Sequence, residues 1–414
     1  MSKKGSVQPL PAFMSVGIYN ETDRLRSAAV WGPVGAEAIL AQMYPRHISL
    51  FYAGMNVPVA RKEALEFFAT LAKNGVRVVA VRDVLADILE SPKKPLKREV
   101  IIRAIIARAQ AIRAKYASLP PSQYTPPPQK QSDLHIRQLV TADIKRYGEQ
   151  KALRLNEMLC LKTDLPLGDT LYARDPMNVL LGTRVVSRMA KPIRKGEVAL
   201  YEKAYSTILP ADTPTIRIPK GETFEGGDAY IHNRTVYVGV GVRTSRGAAR
   251  FIYKKIRRQL EARHMKFAIV EDEHPKTRSS TDAMDFMHLD TFSGPIGDRQ
   301  ITVCKEEAER RRVKYLETDS RGRIIEVDTK KNFLEHLKGQ EDLVIVIPRA
   351  EQRSFGCNFL ALDQSTIFMP LASNKRTNSK LRKAGKRLIF LGLQESTNGY
   401  GASHCMTGQL LRTH

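Results

Sequence analysis

Leu25-Arg26-Ser27-Ala28-Ala29-Val30-Trp31, closed by Gly32-Pro33, sets the fold class of this chain. It is a short apolar run bounded by turn residues, the pattern of a strand. A second run, Val76-Arg77-Val78-Val79-Ala80-Val81, follows Asn74-Gly75. Between the two, Ala60 to Ala72 repeats Ala64, Leu65, Phe67, Phe68 and Leu71 at helical spacing, with Arg61, Lys62, Glu63 and Lys73 outside. Strand, helix and strand in that order predict an α/β protein.

Working outward, the pattern changes between about Leu85 and Leu161. Ile101, Ile102, Ile105, Ile106, Ala109 and Ile112 form a helical stripe, and Leu134 to Cys160 is helical again. Pro120-Pro121 and Pro126-Pro127-Pro128 separate them, so a helical subdomain with a Pro-rich connection is inserted into the α/β frame. Strands are then expected at Val179 to Ser187, Thr235 to Val240, Lys266 to Val270, Gln300 to Val303, Leu343 to Ile347, Thr366 to Phe368 and Arg387 to Leu391. Helices are expected at Ala248 to His264, Lys305 to Tyr315 and Asn378 to Ala384. The division is residues 1–84, an insertion at 85–161, and 162–414. Recurring units of similar size suggest a modular closed architecture, although no sequence repeat is visible.

Composition narrows the class of function. No stretch approaches the ~20 apolar residues that span a bilayer. Met1-Ser2-Lys3-Lys4-Gly5 runs into Pro9-Leu10-Pro11 rather than into the apolar core of a signal peptide, so a cytoplasmic protein is expected. Cys160, Cys304, Cys357 and Cys405 lack the close spacing of a metal finger or redox pair. Lys and Arg number 67 against 43 Asp and Glu, a net +24 that attracts polyanions without specifying one. Its densest part, Lys93 to Lys115, reads as a solvated helix face. Gly239-Val240-Gly241 has Thr244 where a dinucleotide fingerprint needs glycine, and no phosphate loop occurs.

Four segments combine acids, glycine and reactive side chains: Tyr172-Ala173-Arg174-Asp175-Pro176, Phe224-Glu225-Gly226-Gly227-Asp228, Met287-His288-Leu289-Asp290-Thr291 and His404-Cys405-Met406-Thr407. Singly, each reads as a turn, a loop, a core histidine or an inert thiol. Together they suit a guanidinium substrate. That group is planar, cationic and rich in N–H donors, so its site needs carboxylates, and Asp175 and Asp290 fit. Its carbon is a poor electrophile, which a thiolate can attack and leave again; Cys405 supplies the thiol. His288 is the candidate to protonate the departing ammonia and then activate water. Strand alternation would put His288 and Asp290 on one face. His404 is set aside as a base, because neighbours in an extended segment point to opposite sides.

In this order the motifs resemble the arginine deiminases of the guanidine-modifying, or pentein, superfamily. Tyr19-Asn20-Glu21-Thr22-Asp23-Arg24-Leu25-Arg26 resembles that family's opening strand, and the helical insertion before Tyr172 is similar as well. The resemblance implies a five-bladed α/β propeller, guanidinium binding by Asp175 and Asp290, proton handling by Glu225 and His288, and attack by Cys405. It also implies that Arg194 and Arg243 receive the α-carboxylate and that Tyr172, Asp228 and Gly401 contact substrate. A homo-oligomer, with no metal and no organic cofactor, is implied too. The chain departs from the family pattern at Tyr400 and His404, where arginines are usual, and at Asp169 or Thr170, where an asparagine is usual.

The leading expectation is hydrolysis of L-arginine to L-citrulline and ammonia through an amidino-thioether on Cys405. An amidinotransferase, or a hydrolase of another guanidine, shares the Cys, His and Asp set. Glu225 argues against transfer, since transferases resemble Phe-Asp-Ala-Ala-Asp at that place. A basic nucleic-acid-binding protein is the non-enzymatic alternative, with no specific nucleic acid expected for the enzyme.

Overall fold

A computed structural model describes residues 14–51, 53–90, 94–272 and 287–414. Met1–Gly5, Pro9–Pro11 and Lys93, which carried part of the reading above, lie outside those residues. The fold is mixed α/β, with seventeen strands in five sheets among the described residues. In chain order the strands are β1 (Arg24–Val30), β2 (Arg77–Ala80), β3 (Met177–Leu180), β4 (Thr183–Val186), β5 (Thr215–Arg217), β6 (Ala229–His232), β7 (Thr235–Val240), β8 (Lys266–Asp272) and β9 (Ser293–Gly297). They continue with β10 (Gln300–Cys304), β11 (Arg311–Thr318), β12 (Ile324–Asn332), β13 (Leu343–Ile347), β14 (Leu360–Ala361), β15 (Thr366–Met369), β16 (Arg387–Phe390) and β17 (Gly408–Thr413).

One pairing rule recurs in every sheet: a first strand runs antiparallel to a central strand, which pairs parallel to a third. The sets are β17–β1–β2, β3–β4–β5, β6–β7–β8, β9–β10–β13 and β14–β15–β16. Parallel pairing requires a crossover, and a helix lies in each connection; between β1 and β2 it is Val57–Lys73, with Phe67 and Leu71 in the core. The β11–β12 hairpin extends the β6–β7–β8 sheet through β8. Geometry repeats here where sequence does not, because a half-buried strand needs only apolar residues of suitable size.

Two expected elements differ. Val179 to Ser187 is not one strand but the end of the β3–β4 hairpin, whose turn residues Leu181 and Gly182 have φ of 50° and 75°. Both are left-handed, as a tight two-residue hairpin turn demands. The helix expected over Lys305 to Tyr315 stops at Arg310 and gives way to β11. Arg311 sits at a core position of that strand, 4.0 Å from the Phe292 ring centroid and paired with Glu307 at 2.6 Å. An arginine at a core position reads as surface in sequence.

The insertion holds helices Arg98–Lys115, Gln129–Tyr147 and Glu149–Leu161, the last two parted at Gly148. Ile101, Ile102, Ile105, Ala109 and Ile112 are buried, as their spacing predicts. The basic run is only partly solvated: Arg103 and Lys115 are exposed, whereas Arg108 donates to Cys160 O and Thr163 O at 2.6 Å each. A buried ion network ties the insertion to the first sheet. Arg82 donates to both Asp143 oxygens at 2.7 Å and to Glu37 at 3.3 Å, and Arg61 pairs with Asp143 at 2.9 Å. Arg82→Ala is expected to destabilise the chain by about 3 kcal/mol, since it leaves buried Glu37 without a cation and Asp143 with Arg61 alone. Urea unfolding of the variant against the parent measures this.

Candidate active site

The predicted residues meet because each sheet delivers its chemistry just before its first strand. Asp175 precedes β3, Glu225 and Asp228 precede β6, His288 and Asp290 precede β9, Asn358 precedes β14, and Cys405 precedes β17. The Arg174 N–H donates to Cys405 O at 3.0 Å, which ties the Asp175 segment to the cysteine. Gly227 permits this closeness: a Cβ there would lie 2.8 Å from His288 Nδ1 and 3.0 Å from Asp175 Oδ1.

Met287 to Thr291 is not a strand. His288 is extended, but Leu289–Thr291 forms a 3-10 turn, held by the Leu289 N–H donating to Asp228 Oδ1 at 3.0 Å and the Thr291 N–H to His288 O at 3.2 Å. The alternation argument for His288 and Asp290 therefore fails, although both side chains are buried in the cluster. His288 Nε2 is 2.9 Å from Glu225 Oε2, while its Nδ1 has no hydrogen-bond partner and faces Asp175 Oδ1 at 3.8 Å. Burial works against the imidazolium, but Asp175, Glu225 and Asp228 outweigh it and lift the His288 pKa to about 9. It is a proton donor at neutral pH.

Cys405 is buried. Its Sγ lies 3.6 Å from Asp290 Oδ2 and accepts from Asn358 Nδ2 at 3.1 Å. Burial first, then Asp290 and Asp175, raise the thiol well above its usual range, so it waits as a thiol. A cation entering beside those acids would reverse the balance. Alkylation of Cys405 at neutral pH is therefore expected to accelerate when an unreactive guanidine is added. A rate independent of that cation, across a pH series, would refute the coupling.

His404, set aside from sequence, belongs to the cluster. Residues 403–406 form a turn rather than an extended segment, with the Met406 N–H donating to Ala402 O at 2.9 Å. The imidazole bridges Asp290 Oδ2 at 2.7 Å and Glu21 Oε1 at 2.9 Å. Burial would raise Asp290, but His404 holds it lower. Asp290 Oδ1 is left buried without a partner. Asn358 and Glu21 were also missed. Glu21 lies in the Tyr19–Arg26 segment, noted only as an opening strand, and Asn358 lies in no motif and acts through distant contacts, its Oδ1 accepting the Ala402 N–H at 3.0 Å.

Arg194 and Arg243, expected to face a carboxylate of the substrate, are engaged by acids of the cluster. Arg194 donates to Asp175 Oδ2 at 2.6 Å and to Glu197 Oε2 at 2.9 Å, and lies 3.8 Å from Asp169. Arg243 lies 3.3 Å from Glu225 Oε2 and 3.1 Å from Met287 Sδ. Burial would raise Glu225, yet Arg243, His288 and Arg194 hold it well below the usual carboxylate range. Burial dominates elsewhere, pushing Asp169 and Asp228 up to about 7 and Glu197 up to about 8. The Tyr172 hydroxyl donates to Ser396 O at 2.7 Å, and its ring fills the space a Cβ on Gly401 would need, 2.3 Å away.

Asp175, Glu225 and His288 bring ligand atoms within 4.8 Å of one another, a spacing that could hold a metal ion. Their lone pairs face Arg194 and Arg243, and His288 is protonated, so the set as arranged suits organic cations better. Clefts of about 620 and 300 Å³ lie around Arg263 and Gln300 and include none of these residues. The cavities at His288 and at His404 hold about 10 Å³ each, room for one water.

The family model described as arginine deiminase matches residues 49–412. The arginine deiminase of Borrelia recurrentis is 24% identical over 96% of this chain and 98% of its own. That of Listeria welshimeri serovar 6b is 28% identical over 64% of this chain and 67% of its own. Among solved structures, the amidinotransferase SxtG from Microseira wollei has a TM-score of 0.56 at 17% identity, covering 96% of this chain and 98% of that one. The enzyme DDAH from Pseudomonas aeruginosa, a cysteine-to-serine variant complexed with citrulline, has a TM-score of 0.53 at 14% identity, covering 94% and 100%. Both share the pentein-like fold. With the family model spanning most of its length, this chain belongs to the arginine deiminase family.

Proposed function

We propose that the chain hydrolyses L-arginine to L-citrulline and ammonia in the cytoplasm. The observation that carries this is the pairing of Cys405 Sγ with Asp290 at 3.6 Å, beside two buried polar atoms left without partners, Asp290 Oδ1 and His288 Nδ1. A buried acceptor on Asp290 and a buried donor on His288, both left open, suit a guanidinium that must be held and then lose ammonia. As the cation enters, Cys405 releases its proton to solvent, and the thiolate Sγ forms a bond to the guanidinium carbon while the C=N π pair moves onto nitrogen. The tetrahedral adduct expels ammonia with a proton from His288 and leaves an amidino-thioether. Water then adds, passing a proton back to His288; the C–S bond breaks, releasing citrulline and the thiol. Glu225 positions His288, and Asp175 with Asp290 holds the cation.

The repeated pairing rule favours a five-bladed propeller in which residues 1–84 and 162–414 form the blades and 85–161 the insertion. Arg194 and Arg243 are assigned to the α-carboxylate, exchanging their present acids for it, with Tyr172, Asp228 and Gly401 shaping the pocket. Transfer of the amidino group is the second reading, opposed by Glu225. Incubation with arginine, with and without an amine acceptor, separates them: citrulline and ammonia in equal amounts are expected, and ornithine without ammonia would overturn hydrolysis. Agmatine and methylated arginines in the same assay test the effect of Tyr400 and His404.

A further inference from the structure

Between Asp363 and Glu395 the chain has no acidic residue but seven Lys or Arg. Helix Lys375–Lys383 and strand β16 put most of them on one surface. The helix buries Thr377, Asn378 and Leu381 against the protein. Lys375, Lys380, Arg382 and Lys383 are exposed on its other side, and Arg387 is exposed on β16, an edge strand. None of these five has an ion-pair partner among the described residues; Lys380 donates to Val346 O at 2.6 Å and Arg387 to Thr366 Oγ1 at 3.4 Å. Several exposed arginines elsewhere are matched with acids, as Arg137 is with Glu99, Arg299 with Glu341 and Arg323 with Asp319.

The helix dipole accounts for part of this charge: Lys380, Arg382 and Lys383 stand in the last turn, where it favours cations. Lys375 stands in the first turn, where the helix dipole disfavours cations. Glu351 offsets part of that by accepting the Arg376 N–H at 2.9 Å. Beside the cations Phe390 is 38% exposed, and the Arg382 guanidinium lies 5.6 Å from its ring centroid. Exposed cations without ion pairs, next to a partly exposed aromatic ring, are the two components of a single-strand binding surface.

We propose that this face binds single-stranded nucleic acid, with phosphates along Lys375–Lys383 and a base stacked on Phe390. A bilayer is the poorer fit. Membrane-surface helices present an apolar stripe outward, whereas this one turns its buried stripe inward and leaves a single ring beside it. An acidic protein would satisfy the cations but leaves Phe390 unexplained. Among the described residues, none of the five cations pairs with an acid of the cluster around Cys405, so binding here is separable from chemistry there.

The test is fluorescence anisotropy of the full chain with a labelled oligouridine of about 16 nucleotides, across a KCl series. Four phosphates neutralised at roughly 0.7 each predict a log–log salt slope near −3. Lys380→Glu, Arg382→Glu and Lys383→Glu together should weaken binding at least tenfold. The corresponding Gln variants should weaken it less, with thermal melting unchanged. Phe390→Ala should weaken oligouridine binding while leaving the salt slope in place. Triple variants that bind like the parent overturn the proposal. So does a parent that binds phosphatidylserine vesicles but not oligouridine, which would make the face a membrane surface.

Discussion

Replacing Cys405 with serine is expected to lower arginine turnover by at least about 10⁴-fold while the chain remains folded. The hydroxyl is close in size to the thiol and still accepts the Asn358 amide, now 3.1 Å from Sγ. The pocket that already raises the thiol disfavours an alkoxide far more, because Asp290 and Asp175 oppose any second negative charge. Citrulline assays and near-UV circular dichroism on the same preparation check both halves. A serine variant with substantial turnover would remove Cys405 from the chemistry. Cys160, Cys304 and Cys357 are no substitutes: they too are buried, with raised thiols, and the one carboxylate that Cys304 meets, Glu306, is not an acid of the site.

Asp175→Asn is expected to raise KM and lower kcat, with a combined loss of at least about 10³-fold in kcat/KM, and to destabilise the fold by about 3 kcal/mol. The amide oxygen can still accept the Gly227 N–H, now 3.0 Å from Oδ1. The new NH₂ group, however, meets Arg194 Nη1 donor to donor where the carboxylate now accepts at 2.6 Å. Glu197, 2.9 Å from Arg194 Nη2, keeps that arginine from being wholly uncompensated, which places the loss at the lower end for a buried pair. His288 loses the strongest of the acids that raise it, so its titration should move down from about 9. Denaturant unfolding, steady-state kinetics and imidazole proton shifts report the three effects separately. Loss of stability with unchanged KM would make Asp175 a scaffold residue only.

What the sequence revealed follows what a short window can encode. Leu25 to Trp31, Ala60 to Ala72 and the Ile101 to Ile112 stripe carry their periodicity locally, and β1, helix Val57–Lys73 and helix Arg98–Lys115 follow. The β3–β4 hairpin stayed hidden because Leu181 takes a left-handed turn position in which Gly or Asn is the usual signal. Helix and strand were confused at Arg311 because that arginine is buried by stacking on Phe292, a partner far away in sequence.

The site divides in the same way. Asp175, Glu225, His288, Asp290 and Cys405 stood out because acids and glycine in turn motifs are not needed for packing. His404 was misjudged on an assumed extended backbone, whereas the turn at 403–406 swings its ring onto Asp290 and Glu21. Asn358 has no local signal, and the segment around Glu21 signals a strand without marking that carboxylate. The fold, rather than the segment, makes each of them part of the site. Arg194 illustrates the converse: the resemblance implied an open carboxylate receptor, yet four acids surround it.

The most direct measurement is peptide mass analysis after acid quench of the chain turning over arginine. The account predicts that the peptide containing Cys405 gains the mass of arginine less ammonia, early in turnover, and loses it as substrate is exhausted. Citrulline accumulating with Cys405 unmodified throughout, or the same adduct on Cys160, Cys304 or Cys357, would contradict it.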